Sequence, residues 1–113
     1  MIPYGRQSIT DADIEAVVEV LRSDFLTQGP AVPGFEAALA ERVGVAYAVA
    51  VTNATSALHL ACRALEVGPG DSVWVSAVTF AASANCALYC GAEVDFIDID
   101  PVSHNMSVDA LRA

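Results

Sequence analysis

The sequence contains no lysine. All five basic residues are arginines, at Arg6, Arg22, Arg42, Arg63 and Arg112, and they are scattered along a chain of formal net charge −9. A nucleic-acid backbone requires clustered basic side chains, so nucleic acid is not an expected partner. An anionic membrane surface is disfavoured for the same reason. No apolar run approaches the roughly 20 residues of a membrane span. The opening Met1-Ile2-Pro3-Tyr4-Gly5-Arg6 lacks the charged start and apolar stretch of a signal peptide. Cysteine is sparse and odd in number, at Cys62, Cys86 and Cys90. That argues against a disulfide framework and for a reducing cytoplasm. Neither G-x-x-x-x-G-K-[ST] nor G-x-G-x-x-G occurs, which removes the P-loop and the dinucleotide fingerprint. His59 and His104 lie far apart with no carboxylate partner in the pattern. Cys86 and Cys90, one helical turn apart, lack a third ligand, so no metal site is expected and buried free thiols are the simpler account.

What is present is apolar. Of 113 residues, 55% are hydrophobic and 17% charged. A lone small domain needs more polar surface than that, so the composition suggests a segment of a larger enzyme or one side of a dimer. Thr10, with Asp11 and Asp13 behind it, reads as a helix start, and Ile14, Val17, Val18 and Leu21 follow on one face. Asp24 to Pro30 breaks the pattern. A second helix is expected from near Phe35 to Val43, stopped by Gly44. Residues 1–45 thus form a helical N-terminal extension. From 46 to 113 the pattern becomes β-α-β-α-β: strand Tyr47 to Val51, helix Ser56 to Leu65, strand Ser72 to Ser76, helix Phe80 to Cys90 and strand Glu93 to Ile99. A further helix opens near Ser107. The Gly68-Pro69-Gly70-Asp71 turn precedes the second strand. This order predicts an α/β fold with a mostly parallel sheet covered by helices. Trp74 is expected to be buried in its strand. Of Glu93, Asp95, Asp98 and Asp100, most are expected to be solvated strand-edge residues, while alternation can put Asp98 on the face of Val94 and Phe96.

In an open α/β sheet, ligands sit beyond the carboxyl ends of the strands. One such end is Asn53-Ala54-Thr55-Ser56-Ala57. Free N–H groups at Thr55, Ser56 and Ala57, with two hydroxyls, would make a phosphate cup. The same residues serve equally as a plain N-cap by Asn53 or Thr55 with no ligand, the commoner use of such side chains. The other end is Ser76-Ala77-Val78-Thr79-Phe80. A phenyl ring there can stack on a planar cofactor or simply pack in the first turn of its helix.

The order Leu26-Thr27-Gln28-Gly29-Pro30, Phe35-Glu36, Asn53-Ala54-Thr55-Ser56-Ala57-Leu58, Gly68-Pro69-Gly70-Asp71, Thr79-Phe80, Gly91-Ala92 and Asp98-Ile99-Asp100-Pro101, behind an early tyrosine, resembles the DegT/DnrJ/StrS sugar-nucleotide aminotransferases. These are fold-type-I pyridoxal-phosphate (PLP) enzymes. The resemblance spans the whole chain. It implies the N-terminal part of the large domain of the aspartate aminotransferase-like PLP transferases. It also implies that Ala54, Thr55 and Ser56 hold the PLP phosphate and that Phe80 stacks on the pyridine ring. Tyr4 and Asp24, Phe25, Leu26 and Thr27 would lie near the sugar nucleotide. Ala84 to Ala92 and Phe96 to Asp100 are similar to members of the pseudaminic acid pathway. Those members move an amino group from glutamate to C4 of a UDP-linked 4-keto-6-deoxy-N-acetyl sugar, for surface polysaccharide or flagellin glycan synthesis. Members acting on dTDP- or GDP-linked keto sugars share most of these motifs. The family works as a homodimer with sites at the subunit interface.

The chain departs from the family pattern in one respect: the lysine that bonds covalently to the cofactor is absent, as is the acid that pairs with the pyridine nitrogen. Both come from later in the family's chains, so no catalytic residue is assigned here and the 113 residues are expected to be inactive alone. Two other readings stand beside this one. One is a PLP-fold dehydratase or binder that lacks the lysine altogether. The other is a complete non-enzymatic α/β module that ignores PLP.

Overall fold

The computed structural model describes residues 5–113, so Tyr4 lies outside the described residues. The chain forms two compact units, Met1–Ala50 and Val51–Ala113.

The first unit carries two helices. α1 spans Asp11–Arg22 and opens with a reciprocal cap. The Thr10 N–H donates to Asp13 Oδ2 at 2.7 Å, and the Asp13 N–H donates back to Thr10 Oγ1 at 3.4 Å. Two orphan donors of the first turn are thereby satisfied. The apolar stripe predicted on α1 is present but almost bare: Ile14, Val17 and Leu21 are exposed and Val18 is half-buried. α2 spans Ala31–Val43, a full turn earlier than expected, with Pro30 as its N-cap. Pro33 and Gly34 discourage a helix by composition. Within the first turn, however, the N–H that proline lacks would have no intrahelical partner in any case. The first α2 bond runs from the Gly34 N–H to the Pro30 carbonyl at 3.0 Å. Gly44 ends the helix in the left-handed region, at φ 72°, as its position predicted. Glu36 Oε1 accepts the Ala50 N–H at 2.8 Å and fastens the tail of the unit to α2.

Tyr47 to Val51 was expected to be a buried strand. It is not one: no strand is assigned there, and Tyr47 is 88% exposed. A strand is defined by its ladder, and this run has no ladder partner among the described residues.

The second unit holds α3 (Ala54–Ala64), β1 (Ser72–Ser76), α4 (Ala82–Tyr89), β2 (Glu93–Ile97) and α5 (Val108–Arg112). β1 and β2 pair in parallel, with Ser72 opposite Glu93 and Ser76 opposite Ile97. The β1–α4–β2 crossover is therefore the βαβ unit that the alternation predicted. A turn leads into β1. The Asp71 N–H reaches the Gly68 carbonyl at 3.1 Å, Asp71 Oδ2 accepts the Gly68 N–H at 2.8 Å, and Gly70 takes φ 95°. Proline followed by a positive-φ glycine is the pattern of a type II turn.

The core of this unit is built from small residues. Ala82, Ala84, Cys86, Ala87, Cys90 and Ala92 are buried together with Val75. Small side chains let α4 approach both strands and α3, against which it packs. Trp74 departs from its expected burial and is 58% exposed. Successive strand residues face opposite ways, so the face that buries Val75 against α4 turns Trp74 to the other side, which no described element covers. Of the four acids here, Glu93, Asp95 and Asp98 are exposed, as expected of most of them, and Asp100 is half-buried. Asp100 Oδ1 accepts the N–H groups of Ser103, at 2.7 Å, and Val102, at 3.1 Å, closing the turn after β2. Ile99 then pairs with Met106 in an antiparallel bridge, and Ser107 caps α5 through the Ala110 N–H at 3.2 Å.

Candidate cofactor-phosphate site

α3 begins at Ala54, two residues before the expected start, and Asn53 is its N-cap. Asn53 Oδ1 accepts the Ser56 N–H at 2.8 Å, and the Asn53 carbonyl accepts the Ala57 N–H at 3.1 Å. These two bonds correct the expected cup, because Ser56 and Ala57 do not offer free N–H groups. The donors left without a partner among the described residues are the N–H groups of Ala54 and Thr55. Of the two capping alternatives, the structure selects Asn53.

The hydroxyls divide in the same way. Ser56 Oγ lies 3.3 Å from Thr52 Oγ1, and Asn53 Nδ2 donates to that same Thr52 oxygen at 3.4 Å. The Thr55 hydroxyl has no partner among the described residues. The helix start therefore presents two free backbone donors and the Thr55 hydroxyl, with the Ser56 hydroxyl beside them in contact with Thr52. The positive end of the helix dipole lies at the same place. Such a donor set suits a phosphate without any basic side chain.

Phe80 lies between β1 and α4 and is 69% exposed, so the core alternative for this ring does not hold. Its flanks are tied. The Phe80 carbonyl accepts the Ser83 N–H at 2.9 Å, and Thr79 Oγ1 lies 3.0 Å from Ser83 Oγ. Thr52 and Ser83 were not singled out from the sequence. The available signal was a threonine four residues ahead of a serine at both helix starts. α3 and α4 pack together, and the His59 and Tyr89 rings meet edge to face with centroids 5.6 Å apart.

Cys86 and Cys90 are buried and Cys62 is half-buried. Burial pushes the Cys62 thiol up, and the hydrogen-bonding and charge of Cys86, then of Cys90, push it the same way. Protonated thiols are poor nucleophiles. Among the described residues no group of acids, histidines and cysteines is arranged to hold a metal ion.

Asp24, Phe25, Leu26 and Thr27 belong to the first unit, in the loop between α1 and α2, and all four are exposed. Ser23 Oγ anchors this loop by donating to the Val20 carbonyl at 2.8 Å. Gly29 is required there, because a Cβ would come within 2.9 Å of the Phe25 carbonyl oxygen. Among the described residues no helix is long and apolar enough to cross a membrane.

Residues 7–113 match the model of the DegT/DnrJ/EryC1/StrS aminotransferase family. Over 99 residues the chain is 48% identical to a UDP-4-amino-4,6-dideoxy-N-acetyl-beta-L-altrosamine transaminase of Campylobacter jejuni, an alignment covering 88% of this chain and 26% of that protein. A proposed sugar aminotransferase of Streptococcus pneumoniae, solved in apo-, PLP- and PMP-forms, superimposes with a TM-score of 0.89. The two are 39% identical, over 97% of this chain and 28% of that one. The Escherichia coli GDP-4-keto-6-deoxy-D-mannose-3-dehydratase, solved with bound hydrated PLP, gives a TM-score of 0.88 at 28% identity over 97% of this chain and 30% of that one. The expected fold class therefore holds. The chain spans about a quarter of the length of the curated relatives it matches.

Proposed function

The chain belongs to the DegT/DnrJ/EryC1/StrS aminotransferase family, and on that premise we propose that it supplies the cofactor-phosphate site of a sugar-nucleotide aminotransferase. The substrate proposed is a UDP-linked 4-keto-6-deoxy-N-acetyl sugar, aminated at C4 with glutamate as donor. The observation that carries this is the 48% identity to the Campylobacter transaminase across 88% of the chain.

The cofactor is PLP, the group held by the pneumococcal and Escherichia coli relatives. It supplies an electron sink and carries the amino group between donor and acceptor. In this reading the N–H groups of Ala54 and Thr55 and the Thr55 hydroxyl bind its phosphate. Asn53 keeps that turn in register through the Ser56 N–H, and the Ser56 hydroxyl, 3.3 Å from Thr52 Oγ1, adds to the phosphate site. The exposed Phe80 ring covers one face of the pyridine. Tyr4 and Asp24 to Thr27 contribute to the sugar-nucleotide site.

The segment holds no lysine, so the covalent attachment and the proton transfers belong to residues outside it. The bare faces of α1 and of the sheet are consistent with further protein covering them, within a longer chain and across a homodimer. The protein would work in the cytoplasm.

A second reading, dehydration of a keto sugar, is favoured by the TM-score of 0.88 to the dehydratase. The test is to supply the full-length protein with PLP, glutamate and the UDP-linked keto sugar, and to weigh the product. A product in which amine replaces the keto oxygen supports the proposal. Loss of a sugar hydroxyl without amination overturns it in favour of the dehydratase. No change with UDP-, dTDP- or GDP-linked keto sugars overturns both.

A further inference from the structure

Phe80 is the largest apolar side chain assigned to the cofactor, yet it is 69% exposed, and its ring has no described partner. Its direction must therefore come from the backbone on either side. That backbone is held at both flanks by one residue. Ser83 donates its N–H to the Phe80 carbonyl at 2.9 Å, and its hydroxyl lies 3.0 Å from the hydroxyl of Thr79, the residue before Phe80. Ser83 is itself fixed, since it sits in the first turn of α4 between the buried Ala82 and Ala84. The Ser83 carbonyl accepts the Cys86 thiol at 3.2 Å.

The first turn of α3 repeats the device. There the Ser56 N–H donates to Asn53 Oδ1 and its hydroxyl meets that of Thr52, bracketing the turn that carries Ala54 and Thr55. A Thr–Ser hydroxyl link four residues long thus spans each of the two segments assigned to the cofactor.

We propose that Ser83 and Thr79 are positioning residues for Phe80: their hydroxyl link sets the angle at which the ring meets the planar cofactor. This rests on the reading of Phe80 given above. The link works without touching the ligand, so its loss leaves the ring present but misaligned. Removing one neutral hydrogen bond of this kind weakens PLP binding by about fivefold.

The experiment is a double-mutant cycle on the full-length protein, with PLP affinity measured by titrating the apo-protein and unfolding followed in parallel. S83A and T79V are expected to raise the Kd for PLP about fivefold, and T79S, which keeps the hydroxyl, to restore it. F80A is expected to raise it further. The S83A/F80A pair is expected to be no weaker than F80A alone, because without a ring there is nothing to position. A merely structural loss would add to F80A instead, and additivity overturns the proposal. Wild-type affinity in both S83A and T79V overturns it as well. If F80A itself leaves the Kd unchanged, the stacking role fails, which is distinguishable because the single hydroxyl variants then have no ring to act through.

Discussion

Asn53 Oδ1 accepts the Ser56 N–H at 2.8 Å, and this one bond decides which donors at the start of α3 remain for a ligand. It removes the Ser56 N–H from the set and leaves those of Ala54 and Thr55. The cap and the proposed phosphate site are therefore compatible within one turn. Substitutions at Asn53 should separate the two roles. N53A loses the acceptor and is expected to cost about 1 kcal/mol of stability, the ordinary worth of a cap. N53D keeps an acceptor, and so keeps most of that stability. It also sets a negative charge beside the phosphate, so its PLP affinity is expected to fall below that of N53A. Thermal unfolding of the apo-protein and PLP titration check the two halves. Equal affinities for the two variants would separate the cap from the anion site.

Thr55 and Ser56 are adjacent hydroxyl residues with different expected consequences. The Thr55 hydroxyl is uncommitted among the described residues, whereas the Ser56 hydroxyl faces Thr52 at 3.3 Å. A hydrogen bond to a charged group contributes roughly 1.5–3 kcal/mol, so T55A is expected to weaken PLP binding by about tenfold or more with little effect on unfolding of the apo-protein. S56A is expected to do the reverse, with a small loss of stability and a smaller loss of affinity. If S56A proves the more damaging to affinity, the division of labour in this turn is wrong.

The features legible in the sequence are those fixed by neighbours in the chain. Thr10, Gly44, Ser107 and the Gly68–Asp71 turn all satisfy backbone groups within a few residues, and β1 begins and ends where the apolar run does. The misread features depend on partners far away. Among the described residues, Tyr47 to Val51 has the composition of a strand but no ladder to join, and Trp74 has the composition of a core residue but is exposed on β1. The cup was legible in outline only. Residue types at Asn53 to Ala57 announced a helix start, but which N–H groups remained free depended on a side-chain rotamer. Ser83 was not legible because its contacts, to the Thr79 hydroxyl and the Phe80 carbonyl, depend on how the first turn of α4 is built.

Two glycines with positive φ should respond unequally to a methyl group. Gly44, at φ 72°, has open space where a Cβ would stand. G44A is therefore expected to cost only the left-handed penalty, about 1–2 kcal/mol. Gly91, at φ 83°, would place its Cβ 3.3 Å from Pro69 Cγ, in the turn that leads into β1. G91A adds that crowding to the same backbone penalty and is expected to be the more destabilising of the two. Denaturant unfolding of both variants in the full-length protein tests the order, and a reversed order would show that Pro69 yields freely.

Acid should weaken the turns closed by carboxylates. Backbone donation from Ser103 holds the Asp100 carboxyl below the ordinary aspartate range, helped by the Ser103 side chain and the Val102 N–H. The Thr10 N–H, then the Thr10 hydroxyl, do the same for Asp13. A carboxyl with a lower pKa in the folded chain binds its proton more readily when unfolded. Its contribution is therefore complete above the unfolded value of about 4 and is lost as pH falls through the lower folded value. D100N keeps an oxygen able to accept the Ser103 N–H but has no charge to titrate. It is expected to be less stable than the parent near neutrality, with the gap closing as pH falls below about 4. Unfolding followed across that range in both proteins measures the gap, and a gap that stays constant or widens in acid would mean that Asp100 is not charged in the folded turn.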